Sequence, residues 1–235
     1  MQVVILCGGK GVRAFPFTKY LPKPLLPLRG SPIIVQVIKS FVSQGINDFI
    51  LAAGFGKSNL DDYFEGKDLG AKINIVDTGD DTDTGGRLYA CKDLLNGSFI
   101  ATYADGLSDV PLRCLIDFHN SHEGLMTITA APMYSQYGVL EIDEEGKIIE
   151  MKEKPLIDGL WVNAGFIVFD TEVFNHWEGE NLEKEVIPNL IKKGLGFSYR
   201  HRGFFKSADS YQDIVDFEEL MGDDGSVPWA VKEDS

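Results

Sequence analysis

The chain has 235 residues, 44% of them hydrophobic, with 22 Lys and Arg against 36 Asp and Glu, for a formal net charge of −14. That length supports one sizeable core, and the acidic balance excludes a general nucleic-acid or anionic-membrane binder. Three widely spaced cysteines, Cys7, Cys91 and Cys114, fit a reducing cytoplasm, and neither a leader pattern nor a membrane-length apolar run is read.

Val3 to Cys7 is a short β-branched run, predicted as a buried strand, that feeds Gly8-Gly9-Lys10-Gly11-Val12-Arg13. Glycine lets backbone N–H groups converge on an anion and the two cations supply charge. An ordinary tight turn is the alternative. Residues 1–47 contain no acid yet carry Lys10, Arg13, Lys19, Lys23, Arg29 and Lys39, which points to a specific small anionic ligand. Ser31-Pro32 predicts a helix start with Ser31 as N-cap, followed by Ile33, Ile34, Val37, Ile38 and Phe41 at helical spacing. Strands at 48–53 and 73–77 flank a helix at 58–64. The order β-α-β-α-β predicts a mainly parallel sheet with helices packed on it.

Residues 78–87, rich in Gly and Asp, read as an irregular loop, and 88–95 as a helix. A strand at 98–103 ends in Ala104-Asp105-Gly106. A helix at 111–123 follows, with Asp109 as its candidate cap, then a strand at 125–131. Alternating segments on either side of Glu144-Glu145-Gly146 signal a hairpin. A strand at 161–169 and helices at 182–193 and 210–220 complete the reading, the last capped by Ser210. His119 and His122 are expected on the surface.

Ligands of open parallel sheets bind beyond the carboxyl ends of the strands. Three polar constellations fall there: Gly8 to Arg13, Thr82 to Arg87, and Ala104-Asp105-Gly106. Asp105 suits a hard cation such as Mg²⁺, which takes one or two carboxylates plus phosphate oxygens. Helix capping is its alternative role.

The ordered motifs GGxGxR, PKP, a strand ending in DG, EKP and an NxG strand resemble the sugar-1-phosphate nucleotidyltransferases. Within them, VDTGDDTDTGGRL and GFFKSADS…PW resemble the glucose-1-phosphate cytidylyltransferases. The resemblance implies a three-layer α/β/α, Rossmann-like mixed sheet of the nucleotide-diphospho-sugar transferase type with a small β-rich acceptor-binding insertion. It implies one domain over 1–235: a nucleotide-binding core at 1–131, an acceptor-binding part at 132–206, and a final part at 207–235.

The resemblance also implies a Mg²⁺-dependent transfer of CMP from CTP to a sugar 1-phosphate, glucose 1-phosphate first, in a cytoplasmic homo-oligomer. Leu6, Gly8, Gly9, Lys10 and Gly11 would wrap the nucleotide with Thr82, Gly86, Arg87 and Ala104. Arg13 would act on the triphosphate as pyrophosphate departs, and Lys23 would bridge the α-phosphate and the acceptor phosphate. Asp105 and Asp209 would hold the metal. Tyr137, Gly138, Glu153, Lys154, Asn163 and Gly165 would receive the acceptor. A guanidinium such as Arg87 can donate to the O2 and N3 acceptors of cytosine, whereas uracil presents N3–H. A surface ion pair of Arg87 with Asp81 or Asp83, a capping Asp209 and a solvated charge run at 150–154 are the plainer readings. Another phosphorylated acceptor, UTP or dTTP as donor, and a silent regulatory subunit are the rival functions.

Overall fold

The computed structural model describes residues 1–11 and 21–231. Arg13 and Lys19 therefore lie outside the described residues. In chain order the strands and helices are β1 (Gln2–Leu6), β2 (Pro27–Leu28), β3 (Ser31–Pro32), α1 (Ile33–Val42), β4 (Asp48–Ala53), α2 (Lys57–Phe64) and β5 (Lys72–Asp77). Then come α3 (Thr84–Ala90), β6 (Ser98–Tyr103), β7 (Gly106–Ser108), α4 (Leu112–His119), β8 (Met126–Tyr134), β9 (Val139–Ile142), β10 (Ile148–Lys152) and β11 (Leu156–Asp170). A π-turn at Leu182–Val186 leads into α5 (Ile187–Lys192), followed by β12 (Gly196–Arg200), β13 (Phe205–Ser207) and α6 (Tyr211–Leu220).

Seven strands form one mixed sheet in the order β12-β8-β11-β6-β1-β4-β5. β1 is parallel to both β4 and β6, and β4 to β5, so these four strands end at one edge. β11 runs antiparallel between β6 and β8. β1 lies near the centre, which is why it is apolar on both faces. Val3 and Ile5 pack with Ile33, Val37 and Phe41 of α1, while Val4 and Leu6 pack with Leu88 and Phe99 on the other face. The arrangement is the three-layer α/β fold expected. No helix among the described residues is long and apolar enough to cross a membrane.

Some local expectations are corrected. Ser31 is not an N-cap: Leu28 pairs with Ser31 across Arg29 and Gly30, whose φ values of 43° and 78° make the left-handed pair of a two-residue hairpin turn. The cap position of α1 falls on Pro32, with no side-chain hydrogen bond. The expected irregular loop at 78–87 is half helix, because the Asp83 carboxylate accepts from the Thr84 N–H and starts α3 four residues early. Gly85 and Gly86 are tolerated inside this helix because the chain at Glu180 packs against them, and the Gly86 N–H donates to the Glu180 carbonyl at 2.9 Å.

Asp109 does not cap α4. Its carboxylate instead accepts from His201 Nε2 at 2.7 Å and from the Phe204 N–H at 2.6 Å. His119 is not at the surface: it is 2% exposed, with Nδ1 2.8 Å from Thr127 Oγ1. Its row on α4 turns inward with Leu112 and Leu115. The Ser210 cap of α6 is present as a reciprocal capping box with Asp213.

Candidate active site

The shared edge of β1, β4 and β6 sets the site, because register pairs Leu6 with both Ala52 and Tyr103. Residues just past these positions, Gly8 to Gly11 and Ala104-Asp105, are thereby neighbours. The segment after β5 folds back over them through α3. A cavity of about 240 Å³ results, lined by Leu6, Gly9, Gly11, Lys23, Thr82, Arg87, Ala104 and Asp105 among others.

Lys23 is held by the short helical turn at Lys23–Leu25, where the Leu25 N–H donates to the Pro22 carbonyl at 2.8 Å. The prolines on either side fix φ and restrict the approach to that turn. Asp209 arrives from the far end of the sequence. β13 pairs antiparallel with β7, Ser207 opposite Gly106, and the Ala208 N–H donates to the Asp105 carbonyl at 2.9 Å. Lys23 Nζ contacts Asp105 Oδ2 directly and lies 3.4 Å from Asp209 Oδ1. The Lys23 side chain is 14% exposed, so this is a sheltered cluster rather than a surface pair. Asp209 faces Lys23, while capping of α6 is left to Ser210.

Arg87 is 4% exposed and forms no surface ion pair with Asp81 or Asp83. Its Nη1 donates to Thr78 Oγ1 at 2.6 Å and to the Gly79 carbonyl at 2.7 Å. Its Nη2 donates to the Gly8 carbonyl at 3.0 Å. One guanidinium thus ties the glycine loop to the ends of β4 and β5. A Cβ at Gly8 or Gly54 would collide with it, which explains the glycine at both positions. Burial lowers the Arg87 pKa below the ordinary guanidinium value, opposed by nearby Asp80 and Asp83. Burial also pushes the Cys7 thiol up to about 12, so that side chain is a protonated lining group and no nucleophile. Lys10 reaches across the cleft to Asp81 at 2.8 Å.

The remaining expected residues divide. Gly165, at φ 86°, packs against the ring of Tyr103, and the side-chain Oδ1 of Asn163 accepts from the Gly165 N–H at 2.9 Å. These two adjoin the cavity through Tyr103. Gly138 and Glu153 are brought close to one another beside the β9–β10 hairpin. Tyr137 there is 77% exposed, and Lys154 has a φ of 45°. None of Tyr137, Gly138, Glu153 and Lys154 lines the cavity.

Tyr103 and Glu183 escaped sequence reading. The Tyr103 hydroxyl donates to Glu183 Oε1, and Thr84 Oγ1 donates to Glu183 Oε2 at 2.8 Å. Tyr103 was within reach of sequence logic, since it ends the strand before Ala104-Asp105. Nothing local marks Glu183, which the π-turn delivers from beyond β11.

With this geometry in place, comparison with known proteins is decisive. A family described as nucleotidyl transferase matches residues 2–220. The chain belongs to that family. It is a nucleotidyltransferase. The chain is 34% identical, over 98% of its length and 100% of the relative's, to a probable glucose-1-phosphate cytidylyltransferase of Bacillus subtilis (strain 168). It is 31% identical, over 97% of its length and 98% of the relative's, to the glucose-1-phosphate cytidylyltransferase of Salmonella typhi. Among solved structures it is similar to HddC from Yersinia pseudotuberculosis, at a TM-score of 0.74 and 19% identity, covering 93% of this chain and 98% of that one.

Proposed function

We propose that this nucleotidyltransferase transfers CMP from CTP to a sugar 1-phosphate, with glucose 1-phosphate the first acceptor to try. The observation that carries the proposal is the Lys23–Asp105–Asp209 cluster at the mouth of a cavity walled by the glycine loop and α3. The names of the relatives from Bacillus subtilis and Salmonella typhi support cytidylyl transfer. In this reading an oxygen of the acceptor phosphate attacks the α-phosphorus of CTP in line. The new P–O bond forms as the bond to the β-phosphate oxygen breaks, and pyrophosphate leaves. No covalent enzyme intermediate is needed, so the protein's task is to position groups and neutralise charge.

Lys23 then stands between donor and acceptor phosphates as a point charge. Backbone N–H groups of Gly9 to Gly11 face the triphosphate, and Tyr103 separates the nucleotide wall from the acceptor groups Asn163 and Gly165. No cluster of three or more His, Cys, Asp or Glu suited to a metal occurs among the described residues. Asp105 and Asp209 would hold Mg²⁺, a hard cation that takes one or two carboxylates. When bound, it would supply positive charge that offsets the charge developing on the phosphates. Direct reading of the cytosine edge by Arg87 requires that one of its present acceptors give way. Otherwise Arg87 shapes the base pocket through the loops it holds.

The test is pyrophosphate release with CTP, UTP, dTTP, ATP and GTP against a panel of phosphorylated acceptors. The proposal expects CTP with a sugar 1-phosphate to exceed every other pairing at least tenfold in kcat/KM. Preference for another nucleotide, or no release with any pairing, overturns it. Light scattering of the same preparation tests the expected homo-oligomer.

A further inference from the structure

The sheet face that carries Asn163 continues outward to the edge strand. Asn163 pairs with Ala130, and Ala130 with Arg200, so the three form one cross-strand row. Paired residues project to the same face, and Trp161, two positions before Asn163, shares it. Two hollows meet at Trp161. One, of about 370 Å³, is lined by Ala130, Asn163 and Ser198. The other, of about 310 Å³, is lined by Asp158, Arg200 and Arg202. Arg200 lies two strand spacings from Asn163, roughly 10 Å.

Both arginines stand over the Trp161 indole, their Cζ atoms 5.4 and 5.1 Å from its centroid. That is within cation–π range. Several other cations of this acidic chain pair with carboxylates, as in Lys57–Asp61, Lys193–Glu178 and Lys206–Asp216. Arg200 and Arg202 have no ion pair and no side-chain hydrogen bond among the described residues. Two guanidiniums at one ring concentrate positive charge there, which a bound anion would offset. A stacked guanidinium keeps its in-plane fork of N–H donors, which matches carboxylate or phosphate. Asp158 is the one acid in the lining, so the cleft is cationic in balance.

We propose that Arg200, Arg202 and Trp161 form an anion subsite taking a second negative group, carboxylate or phosphate, carried by the acceptor away from its reacting phosphate. This rests on the proposed sugar 1-phosphate acceptor and on Asn163 marking its face, and within that class it ranks sugar 1-phosphates that carry a second anionic group ahead of glucose 1-phosphate itself.

The test is a titration of the full chain by tryptophan fluorescence, with Trp161→Phe identifying the responding ring. Glucose 1-phosphate, glucuronic acid 1-phosphate, glucose 1,6-bisphosphate and inorganic phosphate are the probes. At least one of the two doubly anionic sugars binds tenfold or more tightly than glucose 1-phosphate. That preference falls below twofold in Arg200→Ala and Arg202→Ala, and Arg202→Lys restores part of it. In turnover with CTP the same ratio of kcat/KM values moves in parallel. Equal affinity for all three sugars in the unaltered protein, or a preference that survives both alanine variants, overturns the subsite. Saturation of the Arg202-dependent signal by inorganic phosphate as well as by either doubly anionic sugar overturns the acceptor-borne assignment in favour of a separate anion. Because the titration needs no nucleotide transfer, failure of the subsite and failure of the CTP reaction are read separately. Both arginines are exposed, and circular dichroism confirms that the variants fold.

Discussion

Arg87, on the helix that follows β5, donates to the carbonyl oxygen of Gly8, at the end of β1, over 3.0 Å. That bond makes the glycine loop and the 78–87 segment one mechanical unit. Arg87→Ala removes donors to Thr78 Oγ1 and to the Gly8, Ala53 and Gly79 carbonyls. The Gly8 and Ala53 carbonyls keep the N–H groups of Phe55 and Thr78, so the cost is that of lost charge-assisted hydrogen bonds, about 1.5–3 kcal/mol. A loss of about 3 kcal/mol in urea denaturation is expected. A fall in affinity for CTP and UTP alike, with their ratio unchanged, identifies a loop-holding role. A changed ratio identifies base reading.

Gly8→Ala tests the same contact from the other side. The added methyl group meets the guanidinium, which is pinned by acceptors at Ala53 and at Thr78-Gly79. Overpacking of this kind costs about 1–3 kcal/mol. Gly9→Ala meets nothing and is expected to leave the melting temperature within a degree or two.

Asp105→Asn and Asp209→Asn each remove one carboxylate from Lys23. Turnover is expected to fall by about 100-fold or more in each, near 2.7 kcal/mol of barrier. The circular dichroism spectrum stays unchanged. Activity near that of the unaltered protein removes the residue from the site.

Stability is expected to fall as the pH drops below about 6.5. Burial, and then His119, lower the His122 pKa from its ordinary value of 6.5, against the pull of Asp170. The unfolded chain therefore binds a proton first on acidification, and stability declines from near pH 6.5 until folded His122 also titrates. His122 is partly exposed, so the effect is small. Urea midpoints between pH 8 and 5.5 for the protein and for His122→Gln measure it, the variant showing the flatter profile.

Thiol chemistry separates the three cysteines. Cys114 is exposed, while Cys7 and Cys91 are buried, with pKa values raised to about 12 and about 11. One thiol is expected to react rapidly with Ellman's reagent in the folded chain, and three in guanidinium chloride.

The sequence by itself determined the sheet-and-helix order, the glycine loop and the strand ending in Asp105. These follow from short apolar runs, helical spacing and local turn chemistry. It also carried the motif order that marks the family. Tertiary structure decided what the side chains meet. Asp209 joins Asp105 because β13 pairs with β7, a long-range register that no local pattern encodes. In sequence Arg87 could be a base-reading group or a surface ion-pair partner of Asp81 or Asp83, yet α3, capped early by Asp83, turns it inward beneath Gly8. Glu183 reaches Tyr103 by way of a π-turn, and Arg200 shares a row with Asn163 through a third strand. Local propensity acts over a few residues, whereas a site at a sheet edge is assembled by strand order and register.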